Sequence, residues 1–293
     1  MVNLDFQGIW LPLVTPFTAD GRAVDTAALG RLVRHLAAQG AAGFVACGST
    51  GEAAMLSEAE QATVLATTMD AAGGKPVLMG LAGVDASAIA RRAQALAQAH
   101  RPAGWLLAPP PYVRPSQAGL VAHFQTVASA TPLPLVAYDI PARTGVRLQP
   151  ATLLALADHP QIVAVKDCSA DRAAAGALLA DGRLALLGGN DAELFDQLGR
   201  GAVGGITASA HLATAGFVRL AALMRDGGSI AEARALWRRL APITQAAFAE
   251  PNPAVIKGAL ARQGWQAEVL RAPMLPAATA SVDALLAAAD AAG

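Results

Sequence analysis

Eight short apolar runs, each followed by room for one helix, constrain this 293-residue chain more than any other feature. They are Ile9–Val14, Gly43–Cys47, Pro76–Gly80, Gly104–Ala108, Pro134–Tyr138, Ile162–Lys166, Leu184–Gly188 and Ala202–Ile206. Each is apolar throughout instead of alternating, which suits parallel strands covered on both faces. Helical patterns lie between them. Asp25 caps a segment with Leu29, Leu32, Val33 and Leu36 on one face, and Ser57 with Glu60 forms a capping box. Further helices are expected at about Asp85–His100, Ser116–Ala130, Pro150–Asp158, Asp171–Leu179, Asp191–Leu198 and His211–Arg225. Eight strand–helix units in this order predict an α/β fold, a (β/α)8 barrel. A doubly wound sheet is the alternative, but the glycine fingerprint GxGxxG follows none of the runs. Beyond the eighth unit, Ile230, Ala233, Leu236, Trp237, Leu240 and Ile243 make one amphipathic stripe. Asn252 and Pro253 read as the cap and first turn of a second helix, and a third starts near Ser281. The expected division is a barrel over residues 1–226, carrying the active site, and a helical subdomain over 227–293.

Composition removes several classes of function. Basic and acidic residues balance at 22 each, which argues against a nucleic-acid binder working through phosphate charge. At 54% hydrophobic the chain is no disordered polymer. Mean hydropathy is +0.40, yet the longest uncharged stretch, Pro115–Tyr138, carries Pro132, Pro134, His123 and Gln125, so no membrane span is expected. The first basic residue is Arg22 and follows Asp5, unlike a secretory leader. Cys47 and Cys168 form no CxxC pattern and read as reduced thiols of a cytoplasmic protein. The five histidines show no metal spacing, and His211, the one near a strand end, reads as structural.

Of the basic residues nineteen are Arg and three are Lys: Lys75, Lys166 and Lys257. Lys75 lies in a Gly-Gly-Lys-Pro turn. Lys166 ends the sixth run, and the only tyrosines, Tyr112 and Tyr138, follow the fourth run and end the fifth. Barrel enzymes keep their chemistry at these strand ends. A lysine at the mouth of an apolar barrel is partly desolvated, which favours its neutral form. A neutral amine attacks carbonyl carbon and gives a Schiff base. Tyr138, one strand earlier, can carry the protons that this chemistry needs, with Ser49 and Tyr112 completing a relay. Gly48-Ser49-Thr50-Gly51 ends the second run and offers N–H groups and hydroxyls to a small anion. No Gly-Lys-Ser/Thr follows, so it is not a P-loop. Gly188-Gly189 and Gly204-Gly205 close the last two runs and suit backbone contact with a substrate.

The motifs Gly48-Ser49-Thr50-Gly51-Glu52, Tyr138-Asp139-Ile140-Pro141-Ala142-Arg143-Thr144-Gly145, Val165-Lys166-Asp167 and Glu250-Pro251-Asn252-Pro253 with Lys257 span nearly the whole chain. In order and spacing the sequence resembles the dihydrodipicolinate synthase / N-acetylneuraminate lyase family of pyruvate-dependent class I aldolases. The resemblance implies that Lys166 forms the Schiff base with pyruvate, without metal or cofactor, and that Tyr138 donates and accepts protons. It implies a relay through Ser49 and Tyr112, with Tyr112 entering from a neighbouring subunit of a homotetramer. Thr50, Gly51 and the backbone at Gly204 would hold pyruvate, and Arg143 would bind the carboxylate of an aldehyde partner. That arginine points to condensation with L-aspartate 4-semialdehyde, the synthase reaction of lysine and diaminopimelate biosynthesis. The alternatives are a family aldolase or dehydratase acting on a 2-keto-3-deoxy sugar acid or sialic acid, and a catalytically idle keto-acid-binding regulator. Two residues depart from the synthase pattern: Ser49 stands for Thr and Asp139 for Asn. Regulated members carry a lysine-binding set that here reads Val84, Ala88, Glu58, Gln61 and Pro111, so insensitivity to lysine is expected.

Overall fold

The structure is a computed structural model and describes residues 4–225 and 227–293. Asp226, at which the barrel is expected to end, and Met1–Asn3, part of the stretch read for a leader, lie outside the described residues. Eight parallel strands close on themselves in sequence order: β1 Gly8–Pro12, β2 Gly43–Ala46, β3 Val77–Leu81, β4 Gly104–Leu107, β5 Leu135–Asp139, β6 Ile162–Asp167, β7 Ala185–Gly188 and β8 Gly204–Ile206. The helices on the outside are α1 Thr26–Ala38, α2 Glu58–Ala71, α3 Ala86–Ala99 and α4 Gln117–Ala128, then, after the short α5 Pro141–Thr144 above β5, α6 Pro150–Leu156, α7 Arg172–Asp181, α8 Leu194–Arg200 and α9 Thr214–Arg225. Three more follow: α10 Ile230–Ala247, α11 Ala254–Arg262 and α12 Thr279–Ala292. The expected (β/α)8 barrel with a C-terminal helical appendage is what the chain forms.

Two apolar layers explain why the strands read as unbroken runs. One set of side chains fills the barrel, including Trp10, Val45, Leu78, Leu106, Val136, Ala164, Leu187 and Ile206. The alternate set, such as Leu11, Phe44, Met79, Leu107 and Val165, packs outward against the helices. Period-two alternation persists, but both faces are dry. Trp10 fills so much of the interior that β2 must begin on glycine. A Cβ at Gly43 would stand 2.4 Å from the indole ring. Forcing such a methyl in would cost about 1–3 kcal/mol.

Helix starts follow the expected caps. Asp25 accepts from Ala28 N, and the Ser57–Glu60 box is closed in both directions. Each such cap contributes about 1 kcal/mol. One cap differs: α11 starts after Pro253, and Asn252 gives it no side-chain bond. The Asn252 amide is turned instead to Thr50, across the top of the barrel. The last helix starts at Thr279, two residues before the expected Ser281. α10 packs on α9 and α12, and α11 on α12, so the appendage lies against the barrel's own helical ring. Among the described residues no helix is long and apolar enough to cross a membrane.

Candidate active site

Strand register puts the two principal side chains together. Tyr138 pairs with Lys166 across β5 and β6. Val136 and Ala164, two residues earlier, face the barrel interior, so Tyr138 and Lys166 face inward as well, one layer higher. Lys166 Nζ lies 4.3 Å from the centre of the Tyr138 ring. Both residues are buried. Burial draws the Lys166 pKa down, with Cys168 and Asp191 acting in the opposite sense. Burial also raises the Tyr138 pKa well above its ordinary value, and the Cys168 thiol adds to this. The result is an amine inclined to be neutral beside a phenol that keeps its proton. Ser49 lies close enough to the Tyr138 side chain to lower its pKa slightly against the rise from burial, and Cys168 Sγ stands 4.0 Å from the Tyr138 hydroxyl.

A cavity of about 270 Å³ opens over this pair. Ser49, Thr50, Tyr138, Arg143 and Lys166 all line it. Thr50 is buried in the 3-10 turn Ser49–Gly51, and its hydroxyl accepts from Asn252 Nδ2 at 3.0 Å. Arg143 sits on α5 at the mouth, and its Nη2 makes a long 3.5 Å contact with the Asn252 carbonyl. It also borders a second, largely apolar lobe of about 360 Å³ between β2, β3, β4 and the Pro253 and Met274 segments.

Three expected residues are not at this cavity. Gly51 closes the turn without lining the cavity, and its carbonyl accepts from the Thr15 hydroxyl at 2.7 Å. Gly204 is at the opposite end of its strand. A Cβ there would meet the Gly8 carbonyl oxygen at 2.3 Å and that of Phe6 at 2.6 Å, so this glycine serves close backbone packing at the barrel's base. Ile206, one inward layer higher on β8, lines the cavity in its place. Tyr112 is 93% exposed with φ +72° and reaches nothing in its own cavity. His211 is buried, its Nδ1 bonded to the Ala208 carbonyl, and burial lowers its pKa to about 4. Among the described residues no three His, Cys, Asp or Glu side chains cluster as a metal site.

Among the lining residues that the sequence reading did not assign to the site are Asp191, Cys168, Asn252 and Phe248. Asp191 was open to discovery, because it follows the Gly188-Gly189 end of β7. It is buried with Oδ2 accepting from the Ser209 backbone N–H and hydroxyl, both at 2.6 Å. Phe248 closes α10 and carried no signal beyond an aromatic residue at a helix end.

The dihydrodipicolinate synthetase family model matches residues 5–292. The chain belongs to that family. A relative from a Synechococcus species, a 4-hydroxy-tetrahydrodipicolinate synthase, is 39% identical over 277 residues, covering 92% of this chain and 90% of the relative. Among solved structures, the dihydrodipicolinate synthase of Acinetobacter baumannii complexed with pyruvate superposes with a TM-score of 0.93 at 30% identity, covering 98% and 99% of the two chains. The enzyme from Cyanidioschyzon merolae with lysine bound gives 0.94 at 29% identity, with 98% of each chain covered.

Asp139, one of the two departures from the synthase pattern, has a measurable consequence. It is 2% exposed, and Oδ1 accepts from Leu148 N at 3.2 Å. Burial pushes its pKa up to about 7, with Asp167 and Asp171 adding to the effect and Arg147 opposing it. The folded chain therefore holds a proton that the unfolded chain releases near pH 4. Between about pH 4 and pH 7 the unfolded state binds fewer protons, so stability falls as pH rises and then levels off. An asparagine side chain at this position cannot ionise, yet its carbonyl oxygen can still accept from Leu148. Urea unfolding should show Asp139→Asn gaining on the order of 2–4 kcal/mol at pH 8 and close to nothing at pH 4. An equal gain at both pH values would mean that the carboxyl's charge is not the source.

Proposed function

We propose that this protein is a 4-hydroxy-tetrahydrodipicolinate synthase, condensing pyruvate with L-aspartate 4-semialdehyde. The observation that carries the reading is a buried amine paired with a buried phenol, under an arginine, in one cavity. The Lys166 amine attacks the keto carbon of pyruvate. Water leaves, with Tyr138 supplying the proton, and the Schiff base forms. Loss of a methyl proton gives the enamine, which attacks the aldehyde carbon. The amine of the second substrate then displaces Lys166 by transimination, closing the ring. Thr50 and the turn before Gly51 face the pyruvate carboxylate, and Arg143 faces the carboxylate of the aldehyde. The lysine itself is the covalent carrier, and neither metal nor organic cofactor takes part.

In this reading residues 1–226 carry the chemistry and 227–293 form the helical subdomain. Tyr112, with its side chain fully offered to solvent, completes the relay of a neighbouring subunit in a homotetramer. The enzyme belongs in the cytoplasm, in lysine and diaminopimelate biosynthesis. Lysine feedback is absent: Glu58 is exposed, and the Gln61 amide is spent on the Ala53 and Leu56 carbonyls at 2.9 and 3.1 Å. Its oxygen accepts from Arg92, which puts a cation where an ammonium group would need a carboxylate.

Pyruvate followed by borohydride should leave one reduced adduct on the Lys166 peptide, read by mass spectrometry. An adduct on Lys75 or Lys257, or none, removes this mechanism. Arg143→Ala should weaken use of aspartate semialdehyde by about 1.5–3 kcal/mol, roughly 10- to 150-fold in kcat/KM, while pyruvate trapping persists. Equal loss for both substrates would make Arg143 a structural residue. Lysine titrated into the condensation assay should give no half-maximal inhibition below about 1 mM, an affinity worth about 4 kcal/mol.

A further inference from the structure

Lys257 is as deeply buried as Lys166 but lines neither lobe of the cavity. Its Nζ donates to Glu52 Oε1 at 2.6 Å and to the Thr15 carbonyl at 2.8 Å, and it lies over the Phe17 ring. Both side chains of the ion pair are wholly inaccessible. A buried pair of this kind is a poor source of net stability, because desolvating two charges offsets most of their attraction. What it fixes is geometry.

The geometry concerns one turn. Glu52 ends the turn Ser49–Gly51 in a left-handed conformation, φ +53°, which a side-chain-bearing residue adopts only when its surroundings hold it there. Three successive residues of this turn are each held from outside. Asn252 donates to the Thr50 hydroxyl, Thr15 donates to the Gly51 carbonyl, and Lys257 donates to the Glu52 carboxylate. The other Glu52 oxygen accepts from the Arg271 backbone N–H at 3.1 Å. The Arg271 side chain is in turn paired with Glu60, the capping-box residue of α2. Three of these four contacts come from residues more than 200 positions away in the chain.

We infer that Lys257 and Asn252 are positioning residues for the keto-acid half of the reaction: the segment that opens α11 sets the turn bearing Ser49 and Thr50 against Lys166. Neither residue exchanges protons or bonds with substrate in this role. They act through Glu52 and Thr50, whose placement fixes the pyruvate carboxylate relative to the amine. Small misplacements of such a turn reduce productive binding steeply.

The inference rests on the pyruvate reading above, so the test reads pyruvate occupancy directly. Half-saturation of borohydride trapping by pyruvate is measured on wild type, on Asn252→Ala, and on Lys257→Met combined with Glu52→Gln, together with KM for each substrate. The double variant keeps the length at Glu52, shortens the side chain at Lys257 by one atom and removes both charges. Asn252→Ala leaves the buried pair intact and decides the matter if the double variant fails to fold. Expected is a rise of about tenfold in half-saturating pyruvate for each folded variant, with the adduct still on Lys166 at saturation and the aldehyde KM within about twofold of wild type. Half-saturation unchanged in either folded variant overturns the positioning role, as does an equal rise in KM for both substrates. Wild type that traps no pyruvate at all would instead overturn the proposed function, and the positioning role with it.

Discussion

The site depends on one register: Tyr138 beside Lys166 on neighbouring parallel strands. In a closed barrel alternate residues share one interior space, and parallel pairing sets their height. A slip of one residue in either strand would turn one of the two side chains out among the helices. The apolar layers below enforce the register, since Val136 and Ala164 have to stay inside while Ala137 and Val165 stay outside. The pair is thus fixed by ordinary packing of the layer below it. The same burial shifts both groups toward their neutral forms, so a single physical cause disposes the amine toward nucleophilic attack and the phenol toward keeping its proton.

Acidic groups around the pair have to be held without undoing that preparation. Asp191 is buried close enough to act on Lys166, and its carboxylate is occupied by the Ser209 N–H and hydroxyl. Asp167 follows Lys166 on the outward face, where its Oδ1 accepts from the Ser169 N–H and hydroxyl. Strand parity therefore separates an inward amine from an outward acid that is its immediate chain neighbour. A direct Lys166–Asp167 pair, which adjacency in sequence would suggest, does not form among the salt bridges of the described residues.

The sequence made the barrel legible because strands with two dry faces leave long apolar runs, and caps such as Asp25 and Ser57 act locally. Lys166 and Tyr138 were legible for a different reason: each puts a polar group at the end of a run where packing alone would select an apolar side chain. Residues whose role depends on three-dimensional proximity were harder to read. Gly204 looked like a strand end, but β8 continues two residues further, and its glycine answers to Gly8 and Phe6 at the base. Asn252 carried a strong local signal as a helix cap, and a bond to Thr50, 202 residues away, overrides it. Asp191 follows the glycines expected to face substrate, but its burial depends on Ser209 from the next unit, which no local pattern shows. Tyr112 stood out as one of only two tyrosines, and at 93% exposed its side chain meets no hydrogen-bond partner among the described residues.

Two lysines of this chain are buried, and comparing them shows what burial alone does not decide. Desolvation lowers the pKa of both. Lys257 meets a carboxylate and a carbonyl within 2.8 Å, which accept its protons. Lys166 meets an aromatic ring, a thiol and a cavity, and no carboxylate of the described residues forms an ion pair with it. The first arrangement suits a cation used as a fastening, because its charge is matched and its lone pair is unavailable. The second suits a nucleophile, because nothing but the desolvating wall competes for the nitrogen. The two lysines thus differ in the partners at the amine, and those partners come from Glu52 in one case and from strand register in the other.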